Sequence, residues 1–157
     1  MPDIPWSTPT RPAPGAEVYV MASRFETVSL TGALKFFLRS PGIVLQMRKA
    51  PGAHGVALRA RVLRRTFLTL SAWEDRDALY RFAGSEPHRS GSRAAAAYTK
   101  EAGFVFWTVP ASELPIGWAE AERRLAEQQK EQAEKQAEKQ AEKQAEKQDK
   151  EQQSDRG

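Results

Sequence analysis

A period of two opens the ordered part of the chain. From Glu17, the residues Val18, Val20 and Ala22 alternate with Tyr19, Met21, Ser23 and Phe25, which predicts a first strand. Ser29 or Thr31 then stands where a helix cap is needed. Behind it Leu34, Phe37, Leu38, Val44, Leu45 and Met47 recur at helical spacing. Pro41-Gly42 falls inside that stripe and is expected to break or kink the helix, because proline has no N–H and crowds the preceding turn. Pro51-Gly52 ends it. Two further alternating runs, Ala53 to Arg61 and Thr66 to Trp73, are joined across Val62 to Arg65 and predict a hairpin. In the first, Val56, Leu58 and Ala60 share a face against Arg59 and Arg61. In the second, Leu68, Leu70 and Ala72 oppose Phe67, Thr69, Ser71 and Trp73; both faces are largely apolar, so this strand is expected at the centre of its sheet. Glu74 to Ala83 opens with acidic residues, which suit the positive end of a helix dipole, and carries Ala78, Leu79 and Phe82 as its stripe. Gly84 and Pro87 interrupt it, Arg89 to Tyr98 resumes helix, and Gly103 to Val109 is the last strand.

Strand, helix, strand, strand, helix, strand is an α+β order, that of the ferredoxin-like βαββαβ sandwich. Both helices then cover one face of the sheet and leave the other bare. A bare face carrying Tyr19, Phe67 or Trp107 is an apolar patch that a soluble monomer avoids, so a homodimer joined through the sheet faces is expected. Three regions follow: a proline-rich arm over residues 1–16 with Trp6 as an apolar anchor, the α+β domain over 17–118, and a low-complexity tail over 119–157. In the tail Gln132 to Lys147 is QAEK four times over. Its residues favour helix, but the strict period of four sets Glu134, Glu138, Glu142 and Glu146 at like-charge spacing and offers no seam of large apolar residues for a coiled coil.

A chain of 157 residues that is 40% hydrophobic supports one core. With no cysteine there are no disulfides, thiolate nucleophiles or sulfur-ligated zinc sites, and His54 and His88 alone supply ring nitrogens. No stretch is apolar enough to span a membrane and the arm has no signal-peptide core, so a soluble, cytoplasmic protein is expected. The charge is uneven. Up to Trp118 there are 15 Lys/Arg against 9 Asp/Glu, and beyond it 9 against 11. A basic body by itself argues weakly for a phosphate-bearing partner, and without an RNA-binding aromatic signature no nucleic acid is expected. Glycine-rich phosphate loops, GxSxG and HExxH are also missing.

The run Leu70-Ser71-Ala72-Trp73-Glu74-Asp75-Arg76-Asp77-Ala78-Leu79, continuing through Phe82 to Ser85-Glu86-Pro87-His88, resembles the dimeric α/β-barrel superfamily typified by the antibiotic biosynthesis monooxygenases. Arg48-Lys49-Ala50-Pro51-Gly52 and the Phe104 to Val109 strand resemble uncharacterised bacterial relatives of the spheroidene monooxygenase group. The resemblance implies a barrel of two sheets face to face, with a pocket between helices and sheet in each subunit. Some members oxidise aromatic polyketides without a cofactor, and others bind or break haem. The haem-degrading branch uses an Asn on the first strand and a Trp and a His on the second helix. Aligned on Trp73, those positions are Ser23, Phe82 and Ser92, so that set is not reproduced. His88, one turn before Ser92, keeps haem binding as an alternative.

Among residues that carry chemistry, His88 is the acid–base candidate, with Glu86 and Arg89 beside it; a capping or surface histidine is the other reading. His54, in a glycine-flanked turn, is the weaker candidate. Arg24, Arg59 and Arg61 have the fork-shaped donors that hold a carboxylate or enolate oxygen, whereas Arg64 and Arg65 belong in solvent at the hairpin. Ser23, Trp73, Phe82 and Trp107 are candidate pocket residues, although tryptophans at strand positions more often belong to core or dimer interface. The expected function is a monooxygenase-like enzyme acting without a cofactor on a small apolar or aromatic metabolite. A non-catalytic ligand- or partner-binding domain is the alternative.

Overall fold

The computed structural model describes residues 3–154. Met1 and Pro2 of the expected arm, and residues 155–157 of the tail, lie outside the described residues. The strands are β1 (Asp3–Ser7), β2 (Glu17–Thr27), β3 (Ala53–Arg61), β4 (Thr66–Trp73) and β5 (Thr99–Pro110). The helices are α1 (Leu30–Lys49), α2 (Arg76–Gly84), α3 (His88–Ala96) and α4 (Trp118–Ser154). The five strands form one antiparallel sheet in the order β1-β3-β4-β2-β5. Without β1 this is the ferredoxin-like arrangement, and β4 takes the central place that its two apolar faces require.

The arm is more than an extended lead-in. Asp3–Ser7 adds an edge strand to β3, with Ile4 opposite Leu58 and Ser7 opposite Val56. An edge tolerates Pro5, which has no N–H to give to a ladder. Trp6 lies against Gly55 so closely that a β-carbon there would sit 1.8 Å from its ring.

Nor does Pro41 break α1. The helix is capped by Ser29, whose hydroxyl accepts from the Gly32 N–H at 3.0 Å, and runs unbroken to Lys49. Its buried stripe, Ala33, Val44 and Met47 with Phe36 and Phe37 packed alongside, anchors both halves to the sheet and outweighs the roughly 3 kcal/mol of an internal proline. β5 also starts earlier than the alternation suggested, because it pairs with β2 along its whole length, from Thr27 opposite Thr99 to Glu17 opposite Pro110.

The sheet separates two cores. On one face Val56, Leu58, Phe67 and Trp73 pack with Ala78, Leu79 and Phe82 beneath α1 and α2. On the other, Val18, Val20, Leu68, Leu70, Trp107 and Val109 pack with Ile116, Ala121 and Leu125. The second face is therefore not bare. Expected on it were Tyr19, Phe67 and Trp107, but strand alternation puts Tyr19 and Phe67 under the helices, and Trp107 is covered by the chain's own residues 114–125. Ala121 is 0% and Leu125 6% exposed, so the core continues past Trp118 into the first turns of α4.

Residues 126–157 form a separate unit. Its described part is helical, and from Glu131 onward every side chain described is exposed. Lys130–Glu134 and Lys147–Glu151 are spaced at 3.9 Å along it. Among the described residues no helix is long and apolar enough to cross a membrane.

Candidate functional site

Between the helices and the sheet lies a cavity of about 1150 Å³, somewhat above the roughly 300–1,000 Å³ that small-molecule pockets occupy. Its floor is the middle of the sheet, where the register sets Met21 beside Phe106, Ser23 between Thr69 and Phe104, and Phe25 beside Ala102. α1 contributes Phe36, Ile43 and Met47, α2 contributes Tyr80 and Phe82, and α3 contributes His88 and Ser92. The walls are mainly apolar. Phe104 and Phe106 remain 39% and 43% exposed, so the cavity is open beside the free edge of β5.

α2 is set against the sheet by local chemistry. Asp75 caps it, accepting from the Ala78 N–H at 2.7 Å. The Glu74 N–H donates to the Gly52 carbonyl at 2.7 Å, and at φ +82° Gly52 allows the approach: a β-carbon there would lie 2.8 Å from that of Ala78. Phe82 is thereby clamped between Trp73, at 5.2 Å between ring centroids, and His88, at 4.6 Å.

His88 is the first residue of α3. Its Nδ1 is 3.1 Å from the Ala83 carbonyl, which can only accept, so Nδ1 carries the proton. In the neutral ring Nε2 is then the base, with Ser92 Oγ 3.5 Å away. Just before it, the Glu86 carboxylate accepts from the Ser90 hydroxyl and N–H. The hydroxyl bond above all, then that N–H and the charges of Arg89 and Arg93, hold Glu86 below the usual carboxylate range. Next to the cavity-lining Phe106, Tyr19, which is not itself part of the lining, stacks on that ring at 5.9 Å. Burial first, and nearby Tyr80 second, push its phenol up.

Of the residues expected from sequence, the cavity brings together His88, Ser23 and Phe82. Arg24 shares the face of Val20 and Ala22, away from the cavity, and pairs with Glu26 at 3.5 Å. Arg59 and Arg61 lie on that face too: Arg59 bonds Asp3 at 3.2 Å and Glu122 at 3.1 Å and covers Trp118, and Arg61 bonds Glu122 at 3.1 Å. An anion in the cavity is beyond all three. Trp73 is wholly buried beneath Phe82, its Nε1 donating to Ser71 Oγ at 2.9 Å, and Trp107 belongs to the other core, under Arg124. His54 binds the Thr10 carbonyl at 2.8 Å and pins the segment after β1.

Thr69, Tyr80, Tyr98 and the β5 phenylalanines went unnoticed as site residues. Thr69 carried a signal, one of two hydroxyls, with Ser71, on the strand face that Phe67 and Trp73 also share; Ser71 accepts from Trp73 Nε1, whereas Thr69 lines the cavity. Tyr98 lines the cavity, and its Oη is buried without a hydrogen-bond partner among the described residues. Among those residues no group of three His, Asp or Glu could hold a metal ion. For haem breakdown, Ser23 is engaged with Thr69 and Ser92 offers only a hydroxyl, so the residues present do not fit that chemistry.

Comparison with known proteins agrees on the fold. The family model described as a domain of unknown function, DUF3291, matches residues 29–154. No curated protein matches the sequence. Among solved structures, a Nitrosomonas europaea protein assigned to the antibiotic biosynthesis monooxygenases superimposes with a TM-score of 0.55 at 14% identity, covering 66% of this chain and 96% of that one. A structure described as an antibiotic biosynthesis monooxygenase gives 0.50 at 17% identity, covering 57% and 95%. Protein SO0527 from Shewanella oneidensis gives 0.53 at 8%, covering 68% and 98%. At such identities the likeness is one of fold: this chain has the ferredoxin-like architecture of the antibiotic biosynthesis monooxygenase-like proteins.

Proposed function

The chain belongs to the DUF3291 family, and from that premise we propose a small monooxygenase-like enzyme that takes an apolar, aromatic metabolite into the cavity between its helices and sheet. One observation carries the reading: an apolar cavity of about 1150 Å³ whose wall holds a histidine with a fixed tautomer. In this reading His88 Nε2 removes a proton from an acidic CH2 of the substrate, the carbanion adds to dioxygen, and the peroxide takes the proton back from the imidazolium. Loss of water then leaves C=O, so the CH2 supplies all four electrons and the second oxygen leaves as water without a cofactor. Phe82 keeps the imidazole in place by packing on its face. The test is oxygen uptake by the purified protein over a panel of phenols and aromatic ketones with acidic C–H bonds. Turnover should fall at least a hundredfold in His88→Ala, in line with the loss of a general base. Unchanged turnover removes His88 from the mechanism, and no uptake with any compound that binds removes the enzyme reading.

A second reading has its own observation behind it. Arg24, Arg59 and Arg61 all lie on the other face, and of the cations that do line the cavity, Arg39 and Lys100, Lys100 is paired with Glu26 at 3.1 Å, so none of the arginines expected from sequence is in place to hold an enolate. This favours a domain that binds an apolar ligand without transforming it, and recovery of unchanged compound after binding supports that outcome. A homodimer remains part of the first reading. Light scattering decides it, and a monomer removes it.

A further inference from the structure

We propose that the Thr69 hydroxyl donates a hydrogen bond to an acceptor oxygen on the cavity's ligand, and that Ser23 stands behind it as the residue that orients it. The inference rests on the cavity being a ligand site. Ser23 on β2 and Thr69 on β4 face each other in register, both line the cavity, and their hydroxyls are hydrogen-bonded to each other. Two hydroxyls carry two protons, and one bond uses one of them. Neither side chain makes another hydrogen bond among the described residues.

Burial decides which proton is left. Ser23 is 1% exposed, whereas Thr69 is only partly buried. If Thr69 gave its proton to Ser23, the serine proton would be enclosed with no acceptor, a desolvated donor left unpaired. If Ser23 gives its proton to Thr69, the remaining proton sits on the group that borders open cavity. The second arrangement avoids the penalty, and it also polarises Thr69, since a hydroxyl that accepts becomes a better donor. Around this donor stand Met21, Phe25, Phe104 and Phe106, which hold a ligand by area alone and do not distinguish one apolar skeleton from another. The ligand class that follows is a flat apolar molecule bearing a neutral acceptor oxygen such as a ketone, preferred over the hydrocarbon of the same shape.

Fluorenone and fluorene are probes that differ by that one oxygen. Titrated into the full-length protein, fluorenone should bind about five- to tenfold more tightly, the worth of one neutral hydrogen bond. The infrared carbonyl stretch of bound fluorenone should lie below its position in hexane. Thr69→Val should abolish both the preference and the shift while fluorene binds as before. Thr69→Ser should restore them, and Ser23→Ala should keep a donor but broaden the band as its orientation is lost. Equal binding of the two probes by the native protein, or an unchanged shift in Thr69→Val, overturns the inference and leaves the cavity reading standing. Failure of both probes to bind overturns the cavity reading and this inference with it. Should Thr69→Val fail to fold, the comparison of the two probes on the native protein still decides.

Discussion

Adding one methyl group at Gly55 should destabilise the protein, and removing Trp6 first should turn the same change into a gain. A β-carbon on Gly55 would fall 1.8, 2.4 and 2.6 Å from three atoms of the Trp6 indole, so the ring must leave its place. What is lost is the packing of a partly buried tryptophan on the core of Val20, Ala57 and Leu70, together with the seating of β1 on β3. Truncating a fully buried tryptophan costs about 3–5 kcal/mol. For a half-buried ring whose Nε1 donates to the nearby Thr8 hydroxyl at 3.2 Å, about 2 kcal/mol is the fitting figure. Against this, alanine is better than glycine inside a strand by about 0.5–1 kcal/mol, and Gly55 has no positive φ to forbid it. Gly55→Ala should therefore cost about 1–1.5 kcal/mol in the native sequence and gain about 0.5–1 kcal/mol in Trp6→Ala, a coupling of about 2 kcal/mol. Urea unfolding of the four proteins, read at a common m-value, measures it. An equal effect of Gly55→Ala in both backgrounds would refute the packing of the arm on β3.

Two other substitutions probe the parts that shape the site, and a pair of truncations probes the second core. Gly52→Ala places a β-carbon 2.8 Å from Ala78 at a φ of +82°, and should lower stability by at least the roughly 1–2 kcal/mol of a left-handed alanine while weakening ligand binding, because α2 carries Phe82; native-like melting would contradict the close approach. Glu86 has its carboxyl held below 4.5 by Ser90, so its contribution is fully present above that value and is lost as pH falls through the lowered one. The melting-temperature gap between the native protein and Glu86→Gln should accordingly be constant at neutral pH and close on acidification; a gap that widens instead reverses the assignment. A chain ending at Lys130 should melt like the full protein, whereas one ending at Gly117 lacks Ala121 and Leu125, exposes the second core and should aggregate. Equal behaviour of the two truncations would mean that α4 contributes nothing to the core.

Most of the architecture was legible because the sheet imposes a strict alternation. β4 announced its central position through two apolar faces, and α2 its start through an acidic turn that Asp75 caps. Two things escaped. Asp3–Ser7 is short and contains a proline, so no periodicity marks it as a strand; its evidence is a tertiary one, a tryptophan resting where β3 has a glycine. The first turns of α4 merge without a break into a polar repeat, and the buried Ala121 and Leu125 look in sequence like any residues of a solvated helix. The site divided in the same way. His88, Ser23 and Phe82 came together because motif and strand parity both bear on them. Arg24 failed on parity alone: it is one residue from Ser23, and on a strand one residue is the other side of the sheet.

The covered second face also changes what pairing between chains has to accomplish. A sheet left bare on one side would need a partner to hide Trp107 and Val109, and dimerisation would then be a condition of folding. Here Ile116, Ala121 and Leu125 hide them from within the same chain. The cavity lies on the opposite face, with its floor on β2, β4 and β5 and its helical walls on α1, α2 and α3. Its open side runs along the free edge of β5, where Phe104 and Phe106 keep more than a third of their surface exposed. Any second copy that covered this edge would restrict entry to the cavity. The cavity reading proposed above accordingly predicts that dilution which dissociates an oligomer leaves the cavity able to bind and alters how fast a ligand enters and leaves.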